Sequence, residues 1–588
     1  MERFTAPIVK ALNTCLGEQP GFEPILASDL DHPPNPELGD FAFPCFRLAK
    51  SLRKAPPAIA QELAQRIQSE TLLPKECSIQ AIAEGPYLNF KVSDAELYTA
   101  LLTEMLGNST HRVYSAREPK TLSSWVLEYS SPNLAKVFNI YHLRGTVLGA
   151  ALARIGSHRG FKVERINHLG DWGTQWGKLA VAFKLHKDEL PKEPRVEDLV
   201  EIYVKFHQDA ENMPHLEEEA RLSFLKLEQG DPEMRAVWEE TVKCSLKDFQ
   251  RIYKRIGVDF DYFWGESFYQ DKMAPLLQEF KDKGILEKDQ GAQVVFLTDE
   301  KGNEIPPCIL VKQDGATIYA TRDVAAAKYR WDQFHFDRMS YIVGGEQRLH
   351  FQQVFGVLMK AGYEWSDRCE HIATGLYRFK DAKMSTRKGN FVTLENVLDA
   401  AKDHVLEIMK TREGLNLSEV DIDQIAEKIA VGAIVFNDLS VDPARDVEFD
   451  LARVVDFEGE TGPYLQYAHT RCLGIIRKAK KEKFLKEEFP LFDDELVKLL
   501  KEPQESQLVR TLGRLPFTLD KCVRTGRATP LAHLLIDMTK AFNSFYRECR
   551  VLGEDEELSR ARLMLVGATK NTLGLGLGLL GIPLPERM

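Results

Sequence analysis

What this sequence lacks narrows it first. Its nine cysteines, at positions 15, 45, 77, 244, 308, 369, 472, 522 and 549, include no C-x-x-C pair, and an odd number cannot all pair within one chain. A chain of 588 residues is long enough to bury a core without covalent staples, so they read as reduced thiols. H-E-x-x-H is absent as well, and with neither motif a structural zinc is not expected. No uncharged apolar run reaches the ~18 residues that span a bilayer. The most apolar stretch, 571–585, is short and broken by glycine. The opening MERFTAPIVKALNTCLGEQP reads as an amphipathic helix with no apolar signal core and no small-residue cleavage site. The expectation is a cytoplasmic protein, neither membrane-bound nor secreted.

An excess of positive charge is missing too. Lys and Arg total 77 against 88 Asp and Glu, a net charge of −11, which argues against indiscriminate coating of nucleic acid. The balance is uneven, however: residues 451–588 carry +3 and residues 1–450 carry −14. A polyanion is therefore repelled less by the tail than by the body.

What is present is ordinary globular material, 44% hydrophobic and 28% charged, enough for three or four domains. Residues 1–110 read as a small α+β domain, with helical periodicity over 8–16 and 58–67 and an alternating strand pattern within 79–92. After a polar linker the texture changes. Over 120–415, strand, turn and helix alternate, which predicts an α/β domain with a Rossmann-type parallel sheet. A charged helical insertion occupies about 185–300, and 418–588 is helical throughout, predicting an all-α bundle.

Two segments carry chemistry. Glu128-Tyr-Ser-Ser-Pro-Asn133-Leu-Ala-Lys136-Val-Phe-Asn139-Ile-Tyr141-His142-Leu-Arg144 lies where a strand turns into a helix, at the carboxyl end of a parallel sheet. A helix N-terminus there favours anions, and Lys136, His142 and Arg144 add cationic or donor groups. His142 taken alone reads as a satisfied histidine at an ordinary strand-loop-helix joint. The second segment, Lys383-Met384-Ser385-Thr386-Arg387-Lys388-Gly389-Asn390, sets three cations in a Ser/Thr/Gly loop suited to charge developing on a leaving pyrophosphate. Standing alone, it is a solvated basic loop.

Together, in this order, the two resemble the paired signatures of class I aminoacyl-tRNA synthetases. The segments INHLGDWGTQWG (166–177), LEQGDPE (227–233), GVDFDYFWGESFY (257–269), ATIYATRDVAAA (316–327) and GGEQRLHFQQVF (344–355) are similar to arginyl-tRNA synthetases in particular. So are GETGPYLQYAHTR (459–471), AFNSFYRECRVL (541–552), the C-terminal GLGLLGIPLPERM and, near the start, NPELGDFAFPCFRLAK (35–50). The resemblance spans nearly the whole chain.

That resemblance implies ATP-dependent activation of arginine and its transfer to the 3′ end of tRNA(Arg), by a monomer, with Mg²⁺ accompanying ATP. It implies an N-terminal domain that touches the tRNA elbow through a region including Phe41, Phe43 and Lys50, a catalytic domain, and a C-terminal anticodon-binding bundle. The implied arginine pocket is Glu128, Asn133, Tyr319, Asp323 and Gln347, each of which offers an acceptor to a substrate with five guanidinium donors. ATP is implied at Tyr141, His142, Lys383, Met384 and Ser385, with Lys136, Asn139, His142, Lys383, Ser385, Arg387 and Lys388 in the chemistry.

Two departures stand out. Thr386 replaces the second loop lysine, a loss that Lys136 is implied to offset, and Asn139-Ile-Tyr141-His142 stands where His-x-Gly-His is usual. The latter leaves open a binding protein of the same ancestry. For tRNA, the implied contacts are Tyr464, Gln466, Tyr467, His469, Arg471 and Met588. Tyr464, Tyr467, Ala468 and Arg471 share one helical face, where aromatic rings and an arginine plane suit unpaired bases.

Overall fold

The computed structural model describes residues 2–17, 23–33, 36–74, 78–107, 123–299, 301–379, 393–410, 418–485 and 492–588. The chain divides into two compact units, one of residues 118–455 and the other of residues 1–117 together with 456–588. The KMSTRKGN segment, with Lys383, Met384, Ser385, Thr386, Arg387 and Lys388, lies outside the described residues.

Residues 118–455 are built on a five-stranded sheet. Its spatial order is Cys369–Thr374, Arg338–Gly344, Ser124–Glu128, Lys162–Asn167 and Tyr262–Phe263. Every pairing is parallel, with Glu128 opposite Tyr341 on one side and Ile166 on the other. This is the Rossmann-type sheet expected from the alternating pattern. Trp125, Val126 and Leu127 are buried, as a strand with cover on both faces requires. The helix Leu143–His158 lies directly on the sheet because glycines stand where it meets two aromatic rings. A Cβ on Gly149 would sit 2.1 Å from the Tyr129 ring, and one on Gly156 2.9 Å from the Trp125 ring.

From Ser124–Glu128 the chain crosses through this helix to Lys162–Asn167 on one side, whereas Arg338–Gly344 adds on the other. The strand order therefore reverses beside Glu128, and in open α/β sheets that is where ligands bind.

The insertion is helical, as expected, over Val196–Asn212, His215–Glu228 and Pro232–Ile256. It continues through the helix Gln270–Asp282 into a three-stranded antiparallel sheet, Glu287–Asp289, Ala292–Thr298 and Glu304–Val311. Bulges interrupt this sheet's register at Gln293/Val294 and Val295/Leu297, which blurs the period-2 pattern in the sequence. The helix Glu419–Leu439, grouped by sequence with the tail bundle from 418, packs instead on Leu394–Lys410 within residues 118–455. Arg255 holds it there by ion pairs to Glu427 and Asp399 at 2.7 Å each.

In the other unit, Phe41–Pro44, Tyr87–Val92 and Ile79–Glu84 form an antiparallel sheet backed by Pro56–Ser69. Phe41 and Phe43 are buried in its core. The tail contributes Gly462–Lys481, Pro503–Gly513, Leu515–Thr525, Thr529–Glu548 and Glu556–Leu580. By length and composition the last of these could cross a membrane, but 72% of its most apolar window is buried inside the protein. Arg510 ties the tail to the N-terminal residues. Its Nε donates to Asp40 at 2.8 Å, Nη2 to Asp94 at 2.7 Å and Nη1 to the Tyr98 hydroxyl at 3.1 Å.

Candidate active site

The turn that leaves Ser124–Glu128 is held in an unusual backbone. Ser130, Ser131 and Ala135 have φ of 73°, 44° and 54°, left-handed values that non-glycine residues adopt at a cost of order 1–3 kcal/mol each. The insertion helix Pro232–Ile256 braces it: Ser245 Oγ accepts the Ala135 N–H at 3.0 Å, and the Tyr253 and Ser130 hydroxyls are 2.8 Å apart. Asn133, at the crest, is exposed and pairs along the backbone with Gly170, where any Cβ would lie 2.0 Å from Asn133 Oδ1.

At the first signature, Asn139 caps the short turn Ile140–His142. Its Oδ1 accepts the Tyr141 N–H at 3.0 Å, and its own N–H donates to His142 Nδ1 at 3.1 Å. An imidazole that accepts at Nδ1 carries its proton on Nε2. Burial pushes the His142 pKa down to about 4, and the charge on Lys136 acts in the same direction. His142 is therefore a neutral Nε2–H donor, and Lys136, exposed beside the turn, is the cation there. Tyr141 is 47% exposed, so its ring is not packed into the core behind the turn. Arg144, read from sequence as a donor toward anions, is 2% exposed and gives Nη2 to the Asp442 carbonyl at 2.8 Å. It leaves the anion-binding set, because the helix face it occupies is the packed one.

Three of the residues expected around arginine, Glu128, Asp323 and Tyr319, are linked through Arg330, His168 and His350, which the sequence alone does not single out. Glu128 ends its strand buried, and Arg330, with 0% exposure, sets Nη1 2.5 Å from its Oε2. Arg330 also donates Nε to the Tyr269 hydroxyl at 3.2 Å and Nη2 to His168 Nδ1 at 3.3 Å. His168 Nε2 lies 3.7 Å from Asp323 Oδ1, and His350 Nε2 lies 2.6 Å from Asp323 Oδ2.

Tyr319 opens the helix Tyr319–Phe334, one turn before Asp323, with its ring 4.8 Å from that of His350. Gln347 caps the helix that carries His350. Burial raises the Asp323 pKa, but the His350 hydrogen bond and the electrostatic contacts with His168, His350 and Arg330 outweigh it and hold the carboxyl below its ordinary value. With Glu128 neutralised by Arg330, Asp323 carries the free negative charge of this group. Among the described residues no cluster of three or more His, Cys, Asp or Glu side chains could hold a metal ion.

In the tail, the helix Gly462–Lys481 sorts the expected RNA contacts onto two faces. Tyr464 Oη accepts from Asn543 at 2.9 Å, Arg471 donates to Asn543 Oδ1 at 2.9 Å, and the Arg471 guanidinium lies 4.6 Å over Tyr467 and 5.3 Å over Tyr546. Gln466 and His469 point inward instead. Gln466 donates to the Pro583 carbonyl at 2.7 Å, and burial takes the His469 pKa down to about 4. The structure thus does not bring these two to the face of Tyr464, Tyr467 and Arg471. Met588, the last residue, is partly exposed. The sequence does not reveal the part played by Asn543 and Tyr546, because a single helix pattern does not say which helix stands beside it.

A parallel sheet whose strand order reverses beside a capped His-bearing turn is the architecture of a class I tRNA synthetase. The profile described as "tRNA synthetases class I (R), catalytic domain" matches residues 102–451. The arginyl-tRNA synthetase N-terminal domain matches 3–92, and the DALR anticodon binding domain matches 465–588. Arginine--tRNA ligases of Clostridium perfringens and Clostridioides difficile are 44% and 39% identical, over 95% and 98% of this chain and 96% and 99% of theirs. The arginyl-tRNA synthetase structure of Thermus thermophilus superposes with a TM-score of 0.82 at 25% identity, covering both chains in full. The chain belongs to the arginyl-tRNA synthetase family.

Proposed function

We infer that the crevice beside Glu128 is where this enzyme works. It activates L-arginine with ATP to arginyl-adenylate and then transfers the arginyl group to the 3′ end of tRNA(Arg). In the first step the arginine carboxylate attacks the α-phosphorus of ATP and pyrophosphate leaves; in the second a terminal ribose hydroxyl takes the acyl group and AMP leaves. The observation that carries the reading is the free negative charge on Asp323, held by His350 and His168 beside the Glu128–Arg330 pair.

Around it we assign roles from the geometry. Asp323 and Tyr319 face the arginine side chain, while Glu128, Asn133 and Gln347 meet its other polar groups. His142 donates its Nε2–H to ATP without adding charge, and Tyr141, exposed beside it, borders the ATP. The Asn139 carboxamide oxygen is engaged by the turn, so its NH₂ is the part able to donate. Lys136 supplies the cation that Thr386 does not, and Lys383, Met384, Ser385, Arg387 and Lys388 complete the contacts to the phosphates. Mg²⁺ fits as a companion of those phosphates rather than as a protein-held ion, since Glu128 is engaged by Arg330 and Asp323 is left for the guanidinium.

For tRNA, we propose that the N-terminal domain, residues 1–110, meets the elbow and that the tail bundle reads the anticodon with Tyr464, Tyr467 and Arg471, joined by Tyr546; Gln466 and His469 support that face from inside. Met588 stays in the set through its place at the end of the tail. A cytoplasmic monomer is the state this reading takes.

The test is arginine-dependent ATP–pyrophosphate exchange in the presence of tRNA. Lys136→Ala removes one charge-assisted contact of about 1.5–3 kcal/mol, so kcat is expected to fall about 10- to 150-fold with the KM for arginine nearly unchanged. An unchanged kcat would remove Lys136 from the chemistry.

A further inference from the structure

The two imidazoles around Asp323 are absorbed by no role so far, yet they occupy both of its oxygens. We propose that His350 and His168 are positioning residues that set arginine specificity by clasping Asp323 from its two sides and aiming its carboxylate at the guanidinium. This rests on the reading that Asp323 meets the arginine side chain.

The hydrogen-bond chain fixes the protons. Arg330 has only donors, so His168 Nδ1 must offer a lone pair to Arg330 Nη2 at 3.3 Å, and its proton sits on Nε2. That N–H faces Asp323 Oδ1 at 3.7 Å, an electrostatic contact longer than a hydrogen bond. His350 is buried, and its Nδ1 has no hydrogen-bond partner among the described residues. A proton there would be an orphaned buried donor, so it resides on Nε2, which donates to Asp323 Oδ2 at 2.6 Å.

Both rings are held by their neighbours: His350 between Tyr319 at 4.8 Å and Phe351 at 5.2 Å, His168 against Tyr269 at 5.5 Å. With both imidazoles neutral, the group Glu128, Arg330, His168, Asp323 and His350 carries one net negative charge, and it rests on Asp323. A carboxylate has about four lone-pair sites. Two imidazole donors leave the others, and with its side chain 23% exposed Asp323 can present them to the two parallel N–H groups of a guanidinium.

The full-length enzyme tests this by pyrophosphate exchange, with L-citrulline, the uncharged ureido isostere, as competitor. His350→Leu is expected to raise the arginine KM about tenfold or more, the loss of one charge-assisted hydrogen bond, and to narrow the preference for arginine over citrulline by a similar factor. The KM for ATP should stay within about twofold, since ATP does not meet this carboxylate in the reading above. His350→Gln, which keeps an N–H donor on a comparable reach, should restore most of both. His168→Asn should shift arginine alone, by less.

If His350→Leu leaves the arginine KM and the citrulline preference unchanged while Asp323→Asn destroys arginine use, the clasp is wrong and the pocket stands. If Asp323→Asn is silent too, the pocket reading itself falls. Should His350→Leu not fold, His350→Gln and His168→Asn decide: an arginine-selective loss in His168→Asn with near-normal His350→Gln supports the clasp. Equal losses for arginine and ATP overturn it.

Discussion

Asp323→Asn reduces kcat/KM for arginine by about 30- to 4,000-fold, because truncating one partner of a partly buried charged pair costs about 2–5 kcal/mol. The substitution keeps the shape of the side chain while removing its charge and exchanging one acceptor oxygen for an NH₂ donor, so the loss reports recognition rather than packing. The physical basis is the distribution of charge around the site. Glu128 is already matched by Arg330 at 2.5 Å, and the His350 and His168 N–H groups hold Asp323 ionised. No other carboxylate in the group is left to balance a guanidinium. Steady-state pyrophosphate exchange checks this, with the ATP KM as the internal control. A loss spread evenly over arginine and ATP would mean that Asp323 supports the fold and does not select the substrate.

Arg330→Met should be the most destabilising single change in the catalytic unit, by about 3–5 kcal/mol, because it strands the Glu128 carboxylate in the interior. Arg330 has 0% exposure and also serves Tyr269 and His168, so no water replaces its five donors easily. The diagnostic is the second substitution. Glu128→Gln combined with Arg330→Met removes both charges, and a neutral pair of similar volume should recover much of the loss. Equilibrium urea unfolding measures both variants. If the double variant is as unstable as Arg330→Met alone, the loss comes from the broken contacts to Tyr269 and His168 rather than from the stranded charge.

Much of this was legible in the sequence because it is written in local patterns. The change of period after residue 120 announced the parallel sheet, and the position of Glu128 at the end of a buried strand put it at the crevice. Tyr319 and Asp323, four apart, do lie on adjacent turns of one helix. Arg330 was equally within reach, seven residues beyond Asp323 on the same face, but an arginine in a helical pattern ordinarily reads as a solvated charge. His168 and His350 lie inside segments that carry the family resemblance, and only tertiary structure brings them to Asp323, one from just beyond the strand Lys162–Asn167 and the other from the first turn of the helix Arg348–Lys360.

The tail shows the opposite case. At about 100° per residue, Gln466 and His469 fall roughly 200° and 140° around the helix from Tyr464, on the face that the last residues cover. The period contained that answer, although the Pro583 carbonyl that receives Gln466 comes from 117 positions away. The segment 419–439 was assigned to the bundle because it is helical like its successors. Its partner Leu394–Lys410 and the Arg255 ion pairs are long-range facts that no local signal carries.

The most direct test of the whole account is charging of total tRNA by the full-length protein with Mg-ATP and each of the twenty amino acids in turn. The account predicts that arginine alone is esterified to tRNA, which would also make Asn139-Ile-Tyr141-His142 a working form of the first signature. Bound tRNA with no charging by arginine would contradict it, and would place the loss at that signature.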